Sequence, residues 1–133
     1  MRKAYLFACV SAALVIGGGV WWYLQPDTSG AHLAVTVPAL SNLAQGGEPL
    51  FNAKCAACHG QYAAGSNQGP PLIHKVYHPG HHADRSFQLA VQNGAQAHHW
   101  QYGNMPPVEG ITPSDVARIT LYVRELQRAN GIF

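Results

Sequence analysis

The chain opens on one long apolar run and closes on a periodic one. No charged residue falls between Ala4 and Gln25, and Tyr5 to Leu24 alone is 20 residues, about the length a helix needs to cross a bilayer. Trp21, Trp22 and Tyr23 end the run where an interfacial aromatic belt sits, and Arg2-Lys3 before it predicts an inside N-terminus with the remainder outside. Residues 1–25 therefore read as a membrane anchor. A cleaved secretory signal is the alternative, with Ser29-Gly30-Ala31 as a small-residue cleavage site. The run is longer than the usual signal core and ends in bulky aromatics, which fits an anchor better. At the other end, Val116, Ile119, Val123 and Leu126 recur at helical spacing. Thr112, Pro113 and Asp115 supply a cap, a first-turn proline and a box-like start, and Gly131 a stop.

Between these ends the pattern is broken. Residues 26–46 show only a short Leu33, Val35, Val37 alternation and read as a linker or an arm laid over the domain. The globular part is expected over 47–133. A first helix is predicted from about Glu48 to Cys58 and a second from Asp84 to Asn93. In the second, Asp84 is the cap, Phe87, Ala90 and Val91 form the apolar face, and Gly94 is the stop. The intervening Gly60–His82 stretch carries four Gly and three Pro, and 95–110 is irregular as well. The predicted class is all-α: three helices with long loops. Their apolar faces are too short to build a good core unaided.

The formal charge is +2, with two of the positives ahead of the apolar run, so the exported part is close to neutral. That argues against nucleic acid, which needs a basic patch. Cys9 lies inside the apolar run, which leaves no disulfide framework.

The remaining two cysteines carry the chemistry. Cys55-Ala56-Ala57-Cys58-His59 has the Cys-x-x-Cys-His form of a c-type haem attachment site. Each thiol can form a thioether with one vinyl group, and His59 places an imidazole under the iron. A thioredoxin-like dithiol would need a βαβ setting, which the flanking sequence lacks. Zinc stays open on the pentapeptide alone, because further histidines follow. A covalent haem c would also supply the hydrophobic centre that the short helices lack. Met105, in Gly103-Asn104-Met105-Pro106-Pro107, is the one methionine outside the N-terminal segment. A thioether there would be a soft, potential-raising ligand. The alternative is a core gap-filler, a poor fit on a polar Gly/Pro loop.

Cys55-Ala56-Ala57-Cys58-His59, then Gly69-Pro70-Pro71-Leu72, then Asn104-Met105-Pro106, then a C-terminal amphipathic helix together resemble the class I cytochrome c pattern over about residues 47–130. The resemblance implies a cytochrome c fold in which the first and last helices cross beside one haem. It implies His59 as proximal and Met105 as distal ligand. A carbonyl of the Pro70-Pro71 segment, assigned to Pro71, would accept the other ring N–H of His59. Trp100 or Tyr102 would donate to a propionate or pack on the haem edge.

Six of the eight histidines do not fit that pattern: His74, His78, His81, His82, His98 and His99. They read as solvated or hydrogen-bonded loop residues, as a second metal site suited to copper or zinc, or, for His98 or His99, as a replacement for Met105 on iron. The expected function is single-electron transfer, not catalysis, between redox partner proteins. The expected location is the inner membrane, single-pass, with the haem domain in the periplasm, or free in the periplasm after cleavage. The alternatives are a haem protein with a copper site for metal handling and, further off, a haem peroxidase, which would need an open iron position.

Overall fold

The computed structural model describes residues 33–133. The apolar run, Cys9 and the Ser29-Gly30-Ala31 site lie outside the described residues. Among the described residues no helix is long and apolar enough to cross a membrane. The fold is helical: α1 (Asn42–Lys54), the single turn α2 (Ala56–His59), α3 (Asp84–Asn93) and α4 (Pro113–Ala129), with 3-10 turns at Gln61–Ala63 and Lys75–Tyr77. No strand ladder forms among these residues; one backbone bridge pairs Ala95 with Met105.

α1 starts six residues before the predicted Glu48. Ser41 caps it, accepting from the Ala44 N–H at 3.3 Å, and Glu125 of α4 in turn accepts from Ser41 N at 2.9 Å and Ser41 Oγ at 2.6 Å. The Gly46-Gly47 pair, read in the sequence as the edge of the domain, lies inside this helix. Gly47 is where α1 crosses α4: a Cβ there would stand 2.1 Å from the Arg118 carbonyl oxygen. Tertiary contact overrides the low helix propensity of glycine at this point. The helix breaks at Cys55 and resumes as α2, so the predicted 48–58 helix is two segments. Residues 33–40 form no strand pairing. They run along the end of α4, where Thr36 exchanges two hydrogen bonds of 2.9 Å with the Asn130 side chain.

α4 follows its sequence signals. Thr112 and Asp115 form the reciprocal capping box, and Pro113 opens the helix. Val116, Ile119, Val123 and Leu126 are buried. With Tyr122, the last three join Phe51 and Ala44 of α1 in one cluster, the Phe51 and Tyr122 rings lying 5.5 Å apart and tilted. Each such large apolar side chain contributes about 1.5–3 kcal/mol when fully buried. In α3 the cap is Ala83, and Asp84, the predicted cap, is the first helical residue. Its carboxylate turns to Arg124 of α4 at 2.8 Å, an ion pair that displaces local capping.

Arg124 and Gln127 of α4 are buried, where hydropathy alone would place them in solvent. Arg124 donates to the carbonyls of Tyr77 (2.7 Å) and His82 and to Gln127 Oε1 (2.6 Å). Gln127 donates to the carbonyls of Leu72 (2.8 Å) and Tyr77 (3.1 Å). The Phe87 ring sits 5.0 Å from the guanidinium carbon, a cation–π contact. Buried loop carbonyls must find donors, and these two side chains provide them for the 72–82 loop.

Candidate haem site

Cys55, Cys58 and His59 occupy one helical turn. The amides of Cys58 and His59 both donate to the Cys55 carbonyl, at 3.1 and 2.9 Å, so i, i+3 and i+4 side chains share a face. Cys55 is half-buried and Cys58 exposed. Burial, reinforced by Cys58, pushes the Cys55 thiol up to about 11. Reactive thiols work with a lowered pKa, the reverse of the shift at Cys55.

His59 presents one ring nitrogen to a fixed acceptor. Its Nδ1 lies 2.9 Å from the Pro70 carbonyl. A carbonyl can only accept, so Nδ1 carries the proton and Nε2 keeps its lone pair. Burial holds the imidazole below its ordinary range, partly opposed by the Pro70 bond. A neutral imidazole with one N–H anchored to a carbonyl is the form that ligates a metal. The acceptor is Pro70, not Pro71. The chain just beyond is pinned by the Leu72 N–H on the Ala63 carbonyl at 2.9 Å, which fixes the register of this segment. Tyr62 and Ala63, immediately after the motif, have φ of 54° and 59°. Non-glycine residues rarely take such values, and strained backbone of this kind clusters at functional sites.

Cys55, His59 and Pro70 line a cavity of about 340 Å³, together with Phe51, Leu72, Phe87 and Ile119, and Met105 lies on the same wall set. The Met105 loop is held by its backbone. Met105 and Ala95 exchange hydrogen bonds of 2.9 and 3.0 Å, and Val108 N–H donates to Val91 at 2.9 Å. Gly94, at φ 77°, makes this approach feasible, since a Cβ there would stand 2.6 Å from the Met105 carbonyl oxygen. Trp100 also lines the cavity, and among the described residues its buried Nε1 has no acceptor at hydrogen-bond geometry. Tyr102 lines it too but is exposed. The Cys55 thiol, an anchored imidazole, a thioether and an indole N–H around one apolar cavity, with the Cys58 thiol on the same helical turn as Cys55, fit a covalent porphyrin with acidic side groups.

The structure sorts the six remaining histidines. His74 and His78 use Nδ1 to accept from the backbone amides of Val76 and Gly80, each at 3.2 Å, so they hold turns. His74 also packs edge-on to Trp100. His82 and His98 do the opposite: their Nδ1 groups donate to the Val76 and Gln96 carbonyls at 2.8 and 2.7 Å. His81 and His99 meet Nε2 to Nε2 at 3.2 Å. One potential ligand atom each from His81, His82 and His99 lies within 4.8 Å of the others. Partial desolvation, and then the rings of His98, His82 and His81, push His99 below its ordinary range. His82, His98 and His99 line the cavity, so the cluster stands at its edge.

Comparison with curated proteins and with solved structures finds no match. The sequence model of one family, Cytochrome c, matches residues 44–127, a span running from the first turn of α1 to the last turn of α4 and enclosing every wall of the cavity. The chain belongs to the cytochrome c family, whose domain carries covalent haem and serves electron transfer.

Proposed function

We propose that the protein is a monohaem one-electron carrier, tethered to the inner membrane by residues 1–25 with its haem domain in the periplasm. Cys55 and Cys58 would hold the haem, and His59 and Met105 would ligate its iron. The observation that carries this reading is the His59–Pro70 hydrogen bond of 2.9 Å, with His59 and a backbone-pinned Met105 lining one cavity. The bound haem supplies a ferric/ferrous couple. The chain's residues do the rest. The Pro70 carbonyl keeps the His59 proton on Nδ1 and raises the ligand's basicity. The Ala95–Met105 bridge holds the backbone that carries the thioether in one place, which limits rearrangement on a change of charge. Phe51, Leu72, Phe87 and Ile119 exclude water. A thioether ligand would favour the ferrous state and raise the potential, and with Met105 on the iron the open position a peroxidase needs would be missing.

The near-neutral exported part gives no electrostatic preference for one partner, and the tether supplies encounter instead by confining the search to a surface. Donor and acceptor are membrane-bound or periplasmic redox proteins. The test is the optical spectrum of the full chain purified from membranes, with intact mass. A covalent haem increment and the weak far-red ferric band of sulfur ligation are expected, the band being lost in Met105→Ala. A ferric spectrum unchanged by that substitution would remove Met105 as ligand. Recovery of the chain in the soluble periplasmic fraction with a processed N-terminus would remove the tether.

A further inference from the structure

His81, His82 and His99 serve neither the haem attachment nor the ligand pair assigned above. We infer that these three side chains form a second metal site, for a divalent imidazole-preferring ion such as Cu²⁺ or Zn²⁺, at the edge of the haem cavity.

Geometry carries the inference. The His81 and His99 Nε2 atoms are 3.2 Å apart. Two nitrogens bound at about 2.0–2.1 Å to a tetrahedral ion stand about 3.3 Å from one another. The His82 ligand atom completes a group within 4.8 Å, so a small closure of side chains places all three on one centre. His82 is already set for ligation: its Nδ1–H is committed to the Val76 carbonyl at 2.8 Å, leaving Nε2 as the free lone pair. That arrangement is the outer-shell carbonyl common to metal-bound histidines.

Both loops that carry the cluster are held independently of it. The His82 carbonyl is bound by the buried Arg124. On the other side, the Ala97 N–H donates to Asn104 Oδ1 at 2.9 Å above the Ala95–Met105 bridge. Sites gain affinity when their ligands sit on rigid supports. Among the described residues no carboxylate hydrogen-bonds to or pairs with these rings. The cluster thus gathers neutral nitrogen donors without an anion, a donor set suited to copper or zinc over magnesium or calcium. Three imidazoles leave at least one coordination position open.

The site rests on the proposed function only for its place beside the haem, so the two readings fail separately. The experiment uses full-length, haem-loaded protein stripped with a chelator. Cu²⁺ and, separately, Zn²⁺ are titrated by equilibrium dialysis, and the Cu²⁺ form is examined by electron paramagnetic resonance. One equivalent bound at micromolar concentration, with nitrogen hyperfine structure for copper, is expected. The double variant His81→Gln/His99→Gln should weaken binding more than the roughly 10–100-fold produced by losing an outer-shell partner. His78→Asn, which keeps an acceptor for the Gly80 N–H, should leave binding unchanged. The idea is overturned by absence of stoichiometric binding or by full binding in the double variant. It is also overturned by a changed ferric haem spectrum in that variant without metal, which would place a cluster histidine on iron. Absence of covalent haem would defeat the carrier reading and leave the metal result standing.

Discussion

The two faces of α4 support two unlike halves of the molecule. On one, Ile119, Tyr122, Val123 and Leu126 close against α1 in an apolar seam, with Gly47 letting the backbones touch. On the other, Arg124 and Gln127 hold the carbonyls of Leu72, Tyr77 and His82, and the cavity opens between, walled by Phe51 and Ile119 of the seam and by Leu72, Tyr77 and His82 of the clamped loop. The first half is made by burying surface; the second is made by satisfying loop backbone around a space meant for something else. The difference explains how a chain with three main helices encloses a large planar group. One seam fixes the frame, and a polar clamp keeps the loops from collapsing inward.

The comparison breaks most severely at the seam. Gly47→Leu would drive a side chain into the Arg118 carbonyl, and neither helix backbone can yield without separating the other contacts. Overpacking of this kind costs about 1–3 kcal/mol and occasionally more, and here the colliding atom is backbone, so a loss above 3 kcal/mol is expected. Denaturant unfolding of the haem-loaded protein measures it. A loss under 1 kcal/mol would mean that the crossing is looser than drawn.

Arg124→Met tests the clamp and should cost about 2–4 kcal/mol. Removing one member of a buried charged network costs about 3–5 kcal/mol, discounted here because the Asp84 side chain is 72% exposed. The location of the damage matters more than its size. Hydrogen exchange should accelerate over residues 72–84 while α1 keeps its protection. Uniform acceleration would deny that the halves are separately held.

A smaller effect sharpens the cavity side. Trp100→Phe removes a buried N–H that makes no hydrogen bond of full geometry among the described residues, although the Tyr77 hydroxyl lies close by. If its acceptor is a haem propionate, loss of the donor leaves more negative charge beside the iron. The reduction potential should fall by on the order of tens of millivolts, well inside the range that hydrogen bonding tunes. Unfolding free energy should change by under about 0.5 kcal/mol. An unchanged potential would assign Trp100 to packing alone.

What the sequence made legible divides along the same line. The apolar stripe of α4, its capping box and the Cys55-to-His59 motif are local signals, and the structure keeps each where local chemistry places it. Gly46-Gly47 misled because a helix crossing and a chain break use the same residue, and only the partner helix tells them apart. Arg124 and Gln127 were missed because hydropathy assigns such residues to solvent. The available signal was the stripe Thr120, Arg124, Gln127 lying beside the apolar one at helical spacing. Pro70 was confused with Pro71 because adjacent carbonyls differ only in direction, which the fold sets. The histidines were visible as a group, but their sorting depends on which backbone atoms each ring meets.

The least costly perturbation lies at the entry to α4, where both halves depend on one helix start. The Thr112 side chain and then the Thr112 backbone hydrogen-bond the Asp115 carboxylate, at 2.7 and 3.1 Å. These bonds, with Arg118 adding a smaller pull, hold it below the ordinary carboxylate range. A group whose pKa is depressed on folding binds its proton more tightly in the unfolded chain. Its contribution is present in full above the unfolded value, about 3.9 for an aspartate, and is lost as pH falls through the lower folded value. Asp115→Asn should therefore lower stability modestly at neutral pH and narrow the gap from wild type as the solution is taken below about pH 4. Because the carboxylate is solvent-screened, the gap at neutrality should be well under that of Arg124→Met. Urea unfolding of both proteins at pH 7 and pH 3 measures the difference. A gap that stays constant with pH would show that the capping box acts through shape and not through charge.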